Sequence, residues 1–193
     1  DGFVDTHPFT FVGPMARSVE DAALLLDVMS GPDDGDPFGL PARAGSYVEA
    51  TRRGIDDLDV AYSPDLGICE VAPPVEGVVD EAVDDLRKTG ATVDRIDGVF
   101  EDWETPHDAL EVLLQDRYGG MYDNFVRDHG IDLLERRGDV TEEVVSRVEK
   151  ALELDALDVR RAERARTEVC DAMRGVLSEY DLLVAPTMGL LPF

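Results

Sequence analysis

The chain has 193 residues, 44% of them hydrophobic, which is enough apolar material for a sizeable core and fits one large domain better than two small ones. Its 43 acidic residues face only 18 basic ones, giving a formal net charge of -25, so nucleic acid and anionic membranes are disfavoured as direct partners. Valine and leucine recur along the whole chain, which excludes the apolar-poor composition of an acidic disordered polypeptide.

Residues 1–17, with Phe3, Phe9, Phe11, Pro8 and Pro14, read as an irregular or extended segment. Ser18 then has the position of an N-cap, with Glu20 and Asp21 at the positive end of the helix dipole. Val19, Ala22, Ala23, Leu26 and Met29 share one stripe of the helix that follows, and Leu24, Leu25 and Val28 widen it to most of the circumference. Such a helix is expected to be buried on several sides. Gly31 and Pro32 are the expected stop.

A loop rich in Asp, Gly and Pro leads to a helical turn around residues 46–51. Leu58, Val60 and Tyr62 alternate with Asp59 and Ala61, which predicts a strand over residues 58–63. Val75, Val78, Val79, Ala82, Val83 and Leu86 keep helical spacing up to Gly90, and ATVDRI supplies a second strand. Strand, helix and strand at this spacing form a right-handed crossover in a mainly parallel sheet, so the fold class is α/β with helices covering a mostly parallel or mixed sheet. Residues 103–136 read as helical with interruptions at Gly119-Gly120 and Gly130. Residues 141–180 carry helical spacing throughout and read as one long helix or two with a kink, packed on the sheet rather than in a coiled coil. DLLVAP, residues 181–186, reads as a buried strand.

Most chemistry fails on residue types. His7, His107 and His129 are scattered, Cys69 and Cys170 lack ligand spacing, and the acidic loop near residues 33–39 has Pro37 and Phe38 where a calcium loop needs ligands, so no metal site is expected. The two cysteines read as independent thiols of a reducing cytoplasm. Nucleotide-binding glycine motifs and the G-x-S-x-G elbow are absent, and no cofactor is expected. Glu101, Asp102 and Glu104 stand close together, but carboxylates are so frequent here that proximity carries little information about glycosidase chemistry. Ser18, Ser30, Ser46, Ser63, Ser146 and Ser178 lie outside any glycine-rich segment, and Lys88 and Lys150 stand among charges and are expected to be solvated. A nucleophile needs a base within hydrogen-bond reach, and the sequence offers no such pair; the catalytic residues are therefore read as none. Only those two of the 18 basic residues are lysines, and the acid-rich, lysine-poor surface is that of a protein from salt-saturated cytoplasm.

Four blocks resemble the amidase signature hydrolases, in order. GPMARSVEDAALLLDVMSGPDDGDP is similar to the passage following the family's catalytic region, LDVAYSPDLG and LRKTGATVDRID to its strand, helix and strand, and Ala162 to Arg166 followed by EYDLLVAPT to its closing helix and strand. The resemblance covers nearly the whole chain and is weakest over residues 99–140. It implies a partial amidase signature fold, with residues 1–193 as the C-terminal part of that domain, and hydrolysis of the amide bond of a small-molecule substrate by a serine, a second serine with a cis peptide and a lysine. None of those three has a counterpart here, and Asp1 is not a methionine, so the expectation is a piece of a longer enzyme, inactive by itself. The resemblance places Gly13, Pro14 and Met15 at the turn into the first helix and Pro186 and Thr187 near the substrate cleft, with Met15 and Thr187 as the expected pocket residues and Gly13 and Pro186 beside them. Arg166 reads as a scaffold ion pair. Loss of cover from the first helix and an open sheet edge would make a homodimer through that surface a consequence. Two rivals stand beside the amidase reading: a non-enzymatic scaffold or binding protein of the same fold, and a member of the A-type amidotransferase chains that work on charged transfer RNA, with RNA contact left to a partner chain.

Overall fold

The computed structural model describes residues 13–35 and 45–191. The extended segment expected before residue 13 and most of the loop beyond residue 35, with Pro37 and Phe38, lie outside the described residues. By its internal contacts the chain divides into two compact units, Asp1–Gly54 and Ile55–Phe193.

In the first unit, helix α1 spans Val19–Met29 and a single turn, α2, spans Tyr47–Ala50. Ser18 is the N-cap expected, its side chain accepting from the Asp21 N–H at 3.1 Å. The stop falls at Ser30, one residue before Gly31: the Ser30 N–H and hydroxyl both donate to the Leu26 carbonyl, at 2.9 and 2.7 Å. One acidic residue of α1 builds the neighbouring helix. The Asp27 carboxylate accepts from the Tyr47 N–H at 2.6 Å, the Ser46 hydroxyl at 2.5 Å and the Val48 N–H at 3.3 Å, so it satisfies donors that a helix start leaves open. The expected burial of α1 on several sides is corrected. Only Ala23 is buried, while Val19 and Val28 are 75% and 80% exposed and Leu24, Leu25 and Met29 are also exposed. The reason is geometric: within its unit α1 packs against α2, and one turn of helix covers one face.

The second unit is built on a three-stranded parallel sheet in the order β2-β1-β3, with β1 at Asp59–Tyr62, β2 at Thr92–Arg95 and β3 at Leu182–Val184. Helix α3, Pro73–Lys88, crosses between β1 and β2, and prolines at its first positions suit a helix start because their missing N–H groups have no partner there in any case. Registers Val60↔Val93 and Val60↔Leu182 place β1 in the middle. Val60, Ala61, Tyr62 and Ser63 are therefore buried, and Val83 of α3 and Ala91 join them. The expectation of a buried β3 is corrected, because it is an edge strand of this sheet and Leu182 is 47% exposed. The Asp181 N–H donates to the Asp59 carbonyl at 2.8 Å, and the Asp181 carboxylate accepts from the Asp59 N–H at 3.0 Å, which fixes where β3 joins β1.

Three helices form the remaining layer: α4 at Glu104–His129, α5 at Glu142–Ala151 and α6 at Ala156–Leu177. Pro106, Leu113, Leu133, Val145, Val148, Ala162 and Ala165 are its buried residues among those described. Helix α4 runs unbroken through Gly119-Gly120 and ends at Gly130, whose φ of 63° is the left-handed conformation that closes a helix. The interruption expected at Gly119 is instead a close approach, since a Cβ there would lie 3.1 Å from the Ala151 Cβ at the end of α5. Of the two alternatives for residues 141–180, the structure has two helices, separated by residues 152–155. Asp155 starts α6 with a capping box: its side chain accepts from the Leu157 and Asp158 N–H groups, and the Asp158 carboxylate accepts from the Asp155 N–H. Asp102 has a similar task at α4. It accepts from the Glu104 and Thr105 N–H groups, and the Thr105 hydroxyl and N–H hold its carboxyl below the usual range.

Candidate functional site

All three strands are parallel, so their carboxyl ends lie on one edge of the sheet, the edge at which α/β proteins gather their ligand-binding loops. Three chain segments leave the sheet there, and hydrogen bonds join them. In the segment after β1, buried Ser63 accepts the Leu66 N–H at 3.1 Å, and Asp65 accepts the Gly67 N–H at 2.8 Å. The Leu66 carbonyl then accepts from both Val99 and Phe100, at 2.8 and 3.0 Å, in the segment after β2. Leu66 takes φ 58°, rare for a residue with a side chain, and at Gly67 a Cβ would sit 2.6 Å from the Phe100 carbonyl oxygen. On the other side the Ala72 N–H donates to the Gly189 carbonyl at 2.8 Å, which ties the segment after β3 to the start of α3.

Pro186 and Thr187 lie in that third segment, so the sheet brings two of the expected site residues to its carboxyl edge. Pro186 is half-buried and Thr187 is exposed, followed by the exposed Met188, Leu190 and Leu191. Gly13 and Met15 stand in the other unit at the entry to α1; Met15 is 93% exposed, and no atom lies within 4 Å of a Cβ added at Gly13.

Beneath the edge, Tyr62 donates to Asp80 of α3 at 2.8 Å, and the Arg95 guanidinium lies 5.8 Å from the centre of its ring. Burial, with Asp80 next in importance, pushes the Tyr62 hydroxyl up to about 12, so it remains a neutral donor. A cleft of about 340 Å³ opens above this group, lined by Pro64, Asp65, Glu70, Val71, Pro73, Glu76 and Arg95. No pattern along the chain signals it, because its walls come from a loop, a helix start and a strand end that only the sheet brings together.

Five of the six serines are occupied with backbone, and the sixth, Ser146, lies in α5. Ser18 and Ser46 cap helices, Ser30 and Ser178 close them on the Leu26 and Gly175 carbonyls, and Ser63 holds its turn. Lys88 pairs with Asp85 at 2.8 Å, and among the described residues no serine hydroxyl hydrogen-bonds a lysine. Arg166 pairs with Glu163 at 2.9 Å, as the scaffold reading requires. Among the described residues no group of three or more His, Cys, Asp or Glu is placed to hold a metal ion, and no helix is long and apolar enough to cross a membrane.

The parallel crossover, the helical layer and the closing β3 segment define an α/β protein whose loops meet at one sheet edge. The fold is that of a bacterial aryl acylamidase of the amidase signature family, superposed with a TM-score of 0.84 at 24% identity over 94% of this chain and 37% of that one. The amidase family's sequence profile matches residues 6–193, and the chain belongs to that family. It is 31% identical to an acylamidase of Rhodococcus erythropolis over 189 residues, covering 97% of this chain and 38% of the relative. It is 29% identical to the A chain of a glutamyl-tRNA(Gln) amidotransferase of Natronomonas pharaonis, covering 94% and 47%. The chain thus spans less than half the length of these relatives.

Proposed function

We propose that this chain serves in hydrolysis of the carbon–nitrogen bond of a small-molecule amide, giving a carboxylate and an amine. The match to the amidase family over residues 6–193 carries the reading, and the acylamidase similarity favours it over the amidotransferase one. The chain's part is scaffold and substrate binding, and family resemblance supports Pro186 and Thr187, after β3, and separately Met15 and Gly13, at the entry to α1, as the candidate substrate-binding residues. The lack of a nucleophile of its own is supported by Ser18, Ser30, Ser46, Ser63 and Ser178 holding backbone and by the fact that, among the described residues, no serine hydroxyl, Ser146 included, hydrogen-bonds a lysine. The experiment is to read the gene upstream of Asp1 and assay its whole product on acyl anilides. Release of aniline supports the reading. A start codon immediately before Asp1 with no turnover overturns it in favour of a scaffold.

The charge of -25 further supports a salt-rich cytoplasm as the place of work and argues against direct contact with nucleic acid or an anionic membrane. At molar KCl the screening length falls to about 3 Å and the carboxylates cease to repel one another. Melting temperature is expected to rise with KCl; greatest stability in dilute buffer would contradict this. The bare face of α1 supports a homodimer in high salt, which light scattering tests.

A further inference from the structure

The cleft at the carboxyl ends of β1 and β2 has walls of two kinds. Asp65, Glu70 and Glu76 bring acceptors, and Arg95 brings a guanidinium, while Pro64, Val71 and Pro73 supply apolar surface between them. The Arg95 side chain is steadied from below by the Tyr62 ring, and that ring is itself fixed by the bond to Asp80. Its approach to Glu76 is 3.9 Å, too long for a hydrogen bond, and among the described residues it donates no other. Its N–H groups therefore remain available at the cleft. Glu76 and Glu70 likewise keep their oxygens, whereas Asp65 has one engaged by Gly67.

This arrangement selects by charge. A simple anion would meet Arg95 but also three carboxylates, and a simple cation would meet the carboxylates but also the guanidinium. A molecule carrying both charges satisfies both walls. We propose that this cleft binds a small amino acid zwitterion, its carboxylate on Arg95 and its ammonium among Glu76, Glu70 and Asp65. The volume, about 340 Å³, admits such a molecule with a short aliphatic chain lying on Val71 and the prolines. The inference stands on the cleft's own geometry and does not depend on the amidase reading.

The test is titration of the isotopically labelled chain with β-alanine, followed by backbone amide shifts, at the lowest KCl that keeps it folded. Saturable shifts confined to residues 64–76 and 95, at a Kd on the order of millimolar, are expected, with at least tenfold weakening in Arg95→Gln and in Glu76→Gln. Both substituted side chains are about half exposed, and neither hydrogen-bonds the fold, so both variants keep the structure. Acetate and ethylammonium, each carrying one of the two charges, should shift the same amides only weakly. Equal binding of acetate or ethylammonium, no saturable shift with β-alanine, or an Arg95→Gln response like that of the parent would each overturn the proposal.

Discussion

Two apolar segments of this chain meet opposite fates. The stretch around β1 holds Val60, Ala61 and Tyr62, and the structure buries all three almost completely. Helix α1 is the more continuously apolar of the two, yet Ala23 is its one buried residue. The difference lies in what is available to pack on each. Strand β1 has a neighbour on either side and is tied to α3 through the Tyr62–Asp80 bond, whereas among the described residues of its unit α1 packs against one short helix. Apolar sequence states a demand for burial, and neighbouring elements decide whether it is met.

Substitutions should separate the two regions. The largest effect is expected for Ala61→Asp, which places a carboxylate at a fully buried position beside the sheet hydrogen bonds and should cost more than about 4 kcal/mol, enough to abolish the cooperative melt of the second unit. Gly67→Ala comes next. Its φ of 77° and the Phe100 carbonyl oxygen 2.6 Å from the new Cβ should together cost roughly 2–3 kcal/mol in chemical denaturation. Gly77→Ala is the control for that change, since the added methyl meets nothing within 4 Å in α3 and should stabilise by about 0.5–1 kcal/mol.

Tyr62→Phe removes the bond to Asp80 and should cost about 1.5 kcal/mol at neutral pH. It should also change the alkaline limb. The folded hydroxyl is raised from 10.0 to about 12, so its contribution is whole below pH 10 and is lost as pH climbs through 12. Stability of the parent chain should therefore fall more steeply than that of Tyr62→Phe across that window. In the first unit, Asp27→Ala leaves the Ser46 cap of α2 but removes the acceptor of the Tyr47 N–H and should cost about 1 kcal/mol, read as faster amide exchange at Tyr47 and Val48. Val28→Asp, on the exposed face of α1, should change the stability of the chain by less than about 0.5 kcal/mol and reduce any self-association.

Much of the fold was legible because local signals and tertiary environment agree. Alternation over residues 58–63, helical spacing over residues 75–86 and the ATVDRI strand all form where the pattern predicts. Gly119-Gly120 was misleading because glycine breaks an isolated helix but also lets two helices approach, and only the Ala151 contact shows which applies. Asp155 was hidden for another reason: in a chain so rich in Asp and Glu, one capping carboxylate does not stand out from the surface ones. The same surplus masked Asp102 and Asp27, whose roles are visible only in their hydrogen bonds. Pro186 and Thr187 were put forward by family resemblance alone, while the cleft at Arg95 was not legible at all, since residues 64–76 and 95 become neighbours only through the β1–β2 pairing.

The most direct measurement is aniline release from an acyl anilide by the purified 193-residue chain in molar KCl. No turnover above buffer is predicted, because among the described residues no serine hydroxyl hydrogen-bonds a lysine. Sustained turnover that disappears on replacing a single serine by alanine would contradict the assignment of this chain to the scaffold and cleft of the enzyme.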